Sequence, residues 1–159
     1  MSMVLGALVV LGVLLFFASR LPRRRVPQLL WGSETDGGAA AALAMVLAYH
    51  GRPVAQEVLE KELWLPDGDT NAFEMIQSAR THGLAARGVK VPDQEMLTHI
   101  PVGSIVHRID ARFQVFEKIS GGRVTVLDPL DGRRTLPVDS FWDDFSGVAL
   151  LFEAAEPPR

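Results

Sequence analysis

The chain has no cysteine, so thiolate nucleophiles, thiolate metal ligands and disulfides are all excluded. Its imidazoles are His50, His82, His99 and His107. His50 and His82 each precede a glycine that closes an apolar helical run. An imidazolium there is favoured by the C-terminal end of the helix dipole, so capping is the expected role. His107, three residues before Asp110 in "HRID", has the spacing of a base with its orienting carboxylate, of half a metal site, or of a plain strand-edge histidine. No further ligand of suitable type and spacing accompanies it, and neither a metal nor a cofactor is predicted. The hydroxyls of Ser33, Thr35 and Ser104 would need an adjacent base, and no G-x-S-x-G context surrounds them. "DPLDG", Asp128 to Gly132, holds the acids and glycine of a calcium loop without its remaining ligand positions, and reads as a turn.

The elements that must position these groups begin with "TDGGAAAALAMVLAYHG". Asp36 can cap a helix start, and Gly38 to Tyr49 is apolar on nearly every side, which marks a helix buried all round. Two glycines at its first turn cost about 1 kcal/mol each relative to alanine inside a helix, so they imply close backbone approach or a missing side chain. Val54 to Leu63 reads as an amphipathic helix, and Asn71 with Glu74 has capping-box spacing for a third helix through Arg80, ended by Gly83. A short helix near Gln94 to Thr98 follows. "LAARGVKV", "GSIVHRI", "RFQVFEKI", "RVTVLD" and "VALLFEA" are strand-like, and Ser120, Gly121 and Gly122 join two of them as a hairpin. Helices followed by an antiparallel sheet give an α+β domain.

Met3 to Ala18 contains no charged residue, and Arg20, Arg23, Arg24 and Arg25 follow it. No basic residue precedes the run, as a cleaved secretory signal would require, so it reads as a transmembrane anchor. A helix of roughly 17 residues spans about 26 Å, enough for one slightly short crossing with Arg20 snorkelling to the interface. Arginines flanking a span stay on the cytoplasmic side, which places the domain in the cytoplasm at a single-pass cell membrane. They serve either as a topology signal or as a contact with anionic headgroups. Setting them aside leaves 12 of the 16 basic residues against 19 acidic ones, a formal charge of −7. Such a domain has no electrostatic footprint for nucleic acid. The resulting division is an anchor at 1–20, a basic, proline-containing linker at 21–28, a domain at 29–152 and a tail at 153–159.

From about Pro27 to Leu151 the chain resembles the double-glycine leader peptidases, papain-like cysteine peptidases that trim bacteriocin precursors and are often fused to ABC exporters. The resemblance lies in "DGGAAAALAMVLAYHG", "RFQVFEK", "VLDPLDGRRTL" and "FSGVALLFE", in that order. It implies a papain-like fold with N-terminal helices packed on a C-terminal antiparallel sheet, in a bacterial inner membrane. It also implies that Gly37 stands where the family has its nucleophilic cysteine, Arg112 where it has the histidine, and Trp31 where it has the oxyanion-hole glutamine. Asp128 keeps the identity of the histidine-orienting aspartate. A guanidinium with a pKa above about 12 is no base, and members of such a unit act non-additively. The chain is accordingly expected to be a pseudopeptidase, with Arg112 and Asp128 facing each other as a charge pair that locks the former cleft. What remains is a module that binds a peptide or protein for an exporter, or a small docking subunit of a larger membrane complex. Trp31, Phe141, Trp142 and Phe145 fit either a groove for an apolar peptide or ordinary packing.

Overall fold

The computed structural model describes residues 26–65 and 70–155. Among them no helix is long and apolar enough to cross a membrane. The apolar run at 3–18, the arginines at 20–25 and the last residues of the tail lie outside the described residues.

Helix α1, Ala39–Tyr49, is the centre of the domain. Every side chain from Ala39 to Leu47 is buried, which is what an apolar surface on all sides requires. Asp36 opens it by accepting the backbone N–H of Gly38 (2.9 Å) and of Ala40 (3.1 Å) on its two carboxylate oxygens. Helix α2, Gln56–Glu62, buries Leu59 against α1, and α3, Ala72–Thr81, buries Met75 and Ala79. The carboxamide oxygen of Asn71 accepts from the Glu74 N–H at 3.0 Å, the cap expected from the spacing of that pair.

Six strands follow: β1 (Leu84–Lys90), β2 (Ile105–Arg108), β3 (Phe113–Ser120), β4 (Arg123–Asp128), β5 (Gly132–Pro137) and β6 (Phe145–Ala154). They form one antiparallel sheet in the order β1-β6-β2-β3-β4-β5. The last strand of the chain is thus inserted between the first two. Gly121 and Gly122 close the β3–β4 hairpin with both φ angles positive, which glycine adopts without steric cost. The helices α1 to α3 cover one face of the sheet, packed on Leu84, Ile105, Val115, Leu127 and Leu150. On the other face, Val106, Phe116, Val124, Val126 and Ala149 pack with Leu97 of a short 3-10 segment and with α4, Val138–Asp144. Truncating a fully buried Leu in such a core typically costs about 2–5 kcal/mol.

The fold is the expected α+β arrangement, with β5 and α4 beyond the strands and α-helices anticipated and a 3-10 turn at Glu34–Asp36 ahead of α1. The segment at Gln94–His99 is a 3-10 helix, and β6 runs on to Ala154, paired with Leu84, so the sheet extends into the stretch assigned to the tail.

Candidate functional site

A cleft of about 720 Å³ opens where the turn before α1 meets the β2–β3 loop and the start of α3. Its lining includes Asp36, Gly37, His107, Arg112, Phe113 and Val148. Of the two glycines Gly37 lines it and Gly38 follows, and the structure explains both. Gly38 has φ +81°, and a Cβ on it would come within 2.9 Å of two carbons of the Pro129 ring. Gly37 has φ +61°, and its Cβ would lie 2.5 Å from the carbonyl oxygen of Ala111. The Phe113 N–H donates to the Gly37 carbonyl at 3.0 Å. Close backbone packing, therefore, occupies the space a side chain at position 37 would need.

The loop that makes this contact is held in an unusual shape. Ala111, at φ +65°, is the sole described non-glycine residue with positive φ. That conformation costs an L-residue roughly 1–2 kcal/mol. Arg108 offsets it by gripping Asp110 with two hydrogen bonds of 3.0 Å each, while the backbone of Arg108 and Arg112 closes the loop beneath. Burial tends to raise the Asp110 pKa, but the Arg108 hydrogen bonds and charge outweigh it and hold the carboxyl below its usual range.

Arg112 and Asp128 do not pair, contrary to expectation. Arg112 reaches Asp131 at 3.0 Å, with Asp110 at 3.8 Å, and remains 30% exposed. Asp128 is 1% exposed and accepts three hydrogen bonds: from the Gln114 side-chain amide at 2.6 Å, and from the N–H groups of Leu130 and Asp131 at 2.8 and 3.1 Å. The strand register is the reason. With Val115 opposite Leu127, Gln114 lies alongside Asp128, whereas Arg112 precedes β3 and faces the β4–β5 turn. The cleft is not locked by a buried charge pair.

His107 is one of the residues that line it. Its Nδ1 is 2.9 Å from the Ser146 hydroxyl and its ring leans on Phe113, with centroids 5.0 Å apart. Burial lowers its pKa below the ordinary imidazole value, and the Asp110 charge opposes this only in part. The partner Ser146 had no signal in the sequence, because the contact joins β2 to the first turn of β6, 39 residues away. His50 and His82 are the C-cap residues of α1 and α3, the positions expected of them. His50 has its pKa lowered by burial despite the Glu153 charge, which disfavours an imidazolium cap. His82 instead turns its Nε2 to Glu62 at 2.9 Å. Ser104 is buried with its hydroxyl donated to the Pro101 carbonyl, and Ser33 and Thr35 share a hydrogen bond at the surface. Among the described residues no group of three His, Asp or Glu side chains is arranged to hold a metal.

Of the aromatic candidates, none lines this cleft. Phe141 and Phe145 are buried and stacked at 5.3 Å in the core on the opposite face of the sheet, with the Trp142 edge on Phe145. Trp31 is 63% exposed, its ring over Gly132 and its carbonyl accepting from Gln56 at 3.0 Å. The four arginines assigned to the membrane surface, Arg20, Arg23, Arg24 and Arg25, lie outside the described residues.

Comparison with known proteins accords with this architecture. The chain is similar to a double glycine motif protease from an AMS/PCAT transporter, solved in complex with the leader peptide: 27% identity, TM-score 0.75, covering 85% of this chain and 96% of that one. The peptidase domain of Streptococcus ComA, a bifunctional ABC transporter of a quorum-sensing pathway, matches with TM-score 0.68 at 20% identity, over 82% of this chain and 97% of that one. An uncharacterized protein of Methanothermobacter marburgensis is 26% identical over 116 residues, 73% of this chain and 81% of the relative. The model of the peptidase C39 family matches residues 27–157. The chain belongs to the peptidase C39 family and carries its papain-like fold.

Proposed function

We propose that this chain is a pseudopeptidase of its family: a membrane-tethered module that binds a peptide or protein segment in the cleft without cleaving it, and presents it to an exporter. The observation that carries the reading is at Gly37. Glycine supplies no nucleophile, and the Ala111 carbonyl fills the volume in which one would have to stand. A cysteine proton acceptor is missing from the matching position as well, because Arg112 holds its proton and is engaged with Asp131. His107 lines the cleft, yet the hydroxyl at its Nδ1 belongs to Ser146, which does not line it.

Binding survives the loss of chemistry. Arg112 lies at the rim, paired with the exposed Asp131, so the cleft stays open to a ligand. This favours a peptide-binding module over a subunit that uses the fold only as a docking surface. The transporter-linked relative solved with a leader peptide supports the same class of ligand.

The test is incubation of the purified chain with double-glycine leader peptides, read by mass spectrometry for cleavage and by calorimetry for binding. Binding without cleavage is the expected result. Turnover that a point change inside the cleft abolishes would overturn the reading.

A further inference from the structure

The cleft does not end at the turn before α1. A second cavity of about 360 Å³ shares Thr35, Asp36 and Thr70 with it and continues along α2 past Leu63 and Trp64. The two meet along that turn as one groove, whose apolar surface comes from the half-buried Val148 and the exposed indole of Trp64. Its acidic residues are Asp36 and Glu34 at the shared turn, Glu60 on α2 and Asp110 in the β2–β3 loop. Asp110 is neutralised by Arg108, and Arg112, the basic lining residue, by Asp131. Glu34 and Glu60 form no ion pair among the described residues, and Glu60 accepts only from the neutral Gln56 amide. The negative charge of Glu34 and Glu60 is thus left unpaired along the groove, whereas both oxygens of Asp36 are engaged by the Gly38 and Ala40 N–H groups.

We infer that this groove selects a cationic peptide: an extended segment whose Lys or Arg side chains face Glu34 and Glu60 while apolar side chains between them lie on Trp64 and Val148. The inference rests on the peptide-binding reading and adds its charge preference. Two cavities in line suit an extended chain, because alternate side chains of a strand point to opposite walls. Unpaired carboxylates beside apolar surface attract cations that arrive with aliphatic stems, the mixed chemistry that Lys and Arg supply. Indole faces add attraction for the same cations.

The experiment titrates the protein with three blocked synthetic peptides of equal length: repeats of Lys-Leu-Gly, Glu-Leu-Gly and Ser-Leu-Gly. Affinity is read by calorimetry and by the change in indole fluorescence, with Trp64→Phe identifying the responding residue. The Lys peptide is expected to bind at least about tenfold more tightly than the Ser peptide, and to weaken several-fold as salt rises from about 50 to about 300 mM. Glu34→Gln and Glu60→Gln should each weaken it about three- to tenfold, whereas Glu57→Gln, on an exposed part of α2 that does not line the groove, should not. All three positions are exposed, so the variants fold and the comparison is direct. Equal binding of all three peptides, with the Trp64 signal intact, would overturn the charge preference and leave the peptide-binding reading standing. Absence of binding by all three would overturn both.

Discussion

At the residue scale, the site is defined by what its backbone has displaced. Gly37→Cys, which on the proposed reading returns a thiol to the nucleophile position, places a β-carbon at a positive φ and against the Ala111 carbonyl. Left-handed strain of about 1–2 kcal/mol and overpacking of about 1–3 kcal/mol both oppose it. The variant is expected to lose about 2–5 kcal/mol in denaturant melts and to gain no peptidase activity, even combined with Arg112→His and Trp31→Gln. A stable, active triple variant would show that the backbone yields easily and that only side chains were lost. The charged pair also has a measurable signature. Arg112→Ala removes an exposed ion pair with Asp131 worth about 0–1 kcal/mol. Asp128→Ala leaves the Gln114 amide and two N–H groups without their acceptor in a buried place, a loss of about 2–4 kcal/mol. Double-mutant cycles should find Arg112 and Asp128 additive, and Gln114 with Asp128 coupled by about 0.5–3 kcal/mol. The sequence made Gly37 and Gly38 conspicuous, since a buried helix has no local reason to begin with two glycines. It held no sign of the Ala111 carbonyl or of Gln114, because both follow from loop conformation and strand register.

At the scale of elements, periodicity and punctuation revealed most of the domain. The apolar α1, the Asn71 cap and the Gly-Gly hairpin each carry a local signal strong enough to survive in the fold. The missed strand and α-helix carry weak ones. In β5, "GRRTLP" is an edge strand with most side chains exposed, so it lacks the alternation of a half-buried strand. Its hold on the sheet comes partly from Arg133, which reaches across to Glu117 of β3 with two hydrogen bonds. In α4, "VDSFWDD" is too short for a helical period to emerge against Phe141 and Phe145, which read equally well as groove residues. Similarly invisible is the tie between α2 and α3, where Glu62 receives hydrogen bonds from Ser78 at 2.6 Å and His82 at 2.9 Å. Burial raises the Glu62 pKa, but these two hydrogen bonds and the His82 charge outweigh it, and the net shift is downward from 4.5. A carboxyl with a depressed folded-state pKa contributes stability above its unfolded pKa and loses it as pH falls through the folded value. The stability difference between the natural chain and Glu62→Gln should shrink once pH drops below about 4.5. A difference that grows on acidification would mean that the Glu62 contacts do not form in solution.

At the scale of the whole molecule, the charge distribution divides the chain into a basic approach and an acidic domain. Four arginines stand between an uncharged run and a remainder with 12 basic and 19 acidic residues. On the proposed membrane-tethered reading, opposite charge on the two sides gives each a different neighbour. Basic residues close to a membrane gain about 1 kcal/mol apiece from anionic lipid, while an acidic domain is repelled by the same surface and stays free to receive a partner. The groove would then open into the aqueous phase, with a cationic ligand drawn away from the headgroups by Glu34 and Glu60. This predicts a topology that is checked directly. Fusions at the C-terminus of the full chain, one to a reporter active only in the cytoplasm and one to a reporter active only outside it, are expected to report the cytoplasmic side. Replacing Arg20, Arg23, Arg24 and Arg25 by glutamine should weaken or invert that preference, since basic residues flanking a span set its orientation. Carbonate washing should leave the full chain in the membrane pellet, because headgroup attraction alone does not resist it and a spanning segment does. A chain recovered in the soluble fraction, or one whose mature form starts after Arg20, would remove the tether from the proposed function while leaving the peptide groove to be judged by its own binding measurements.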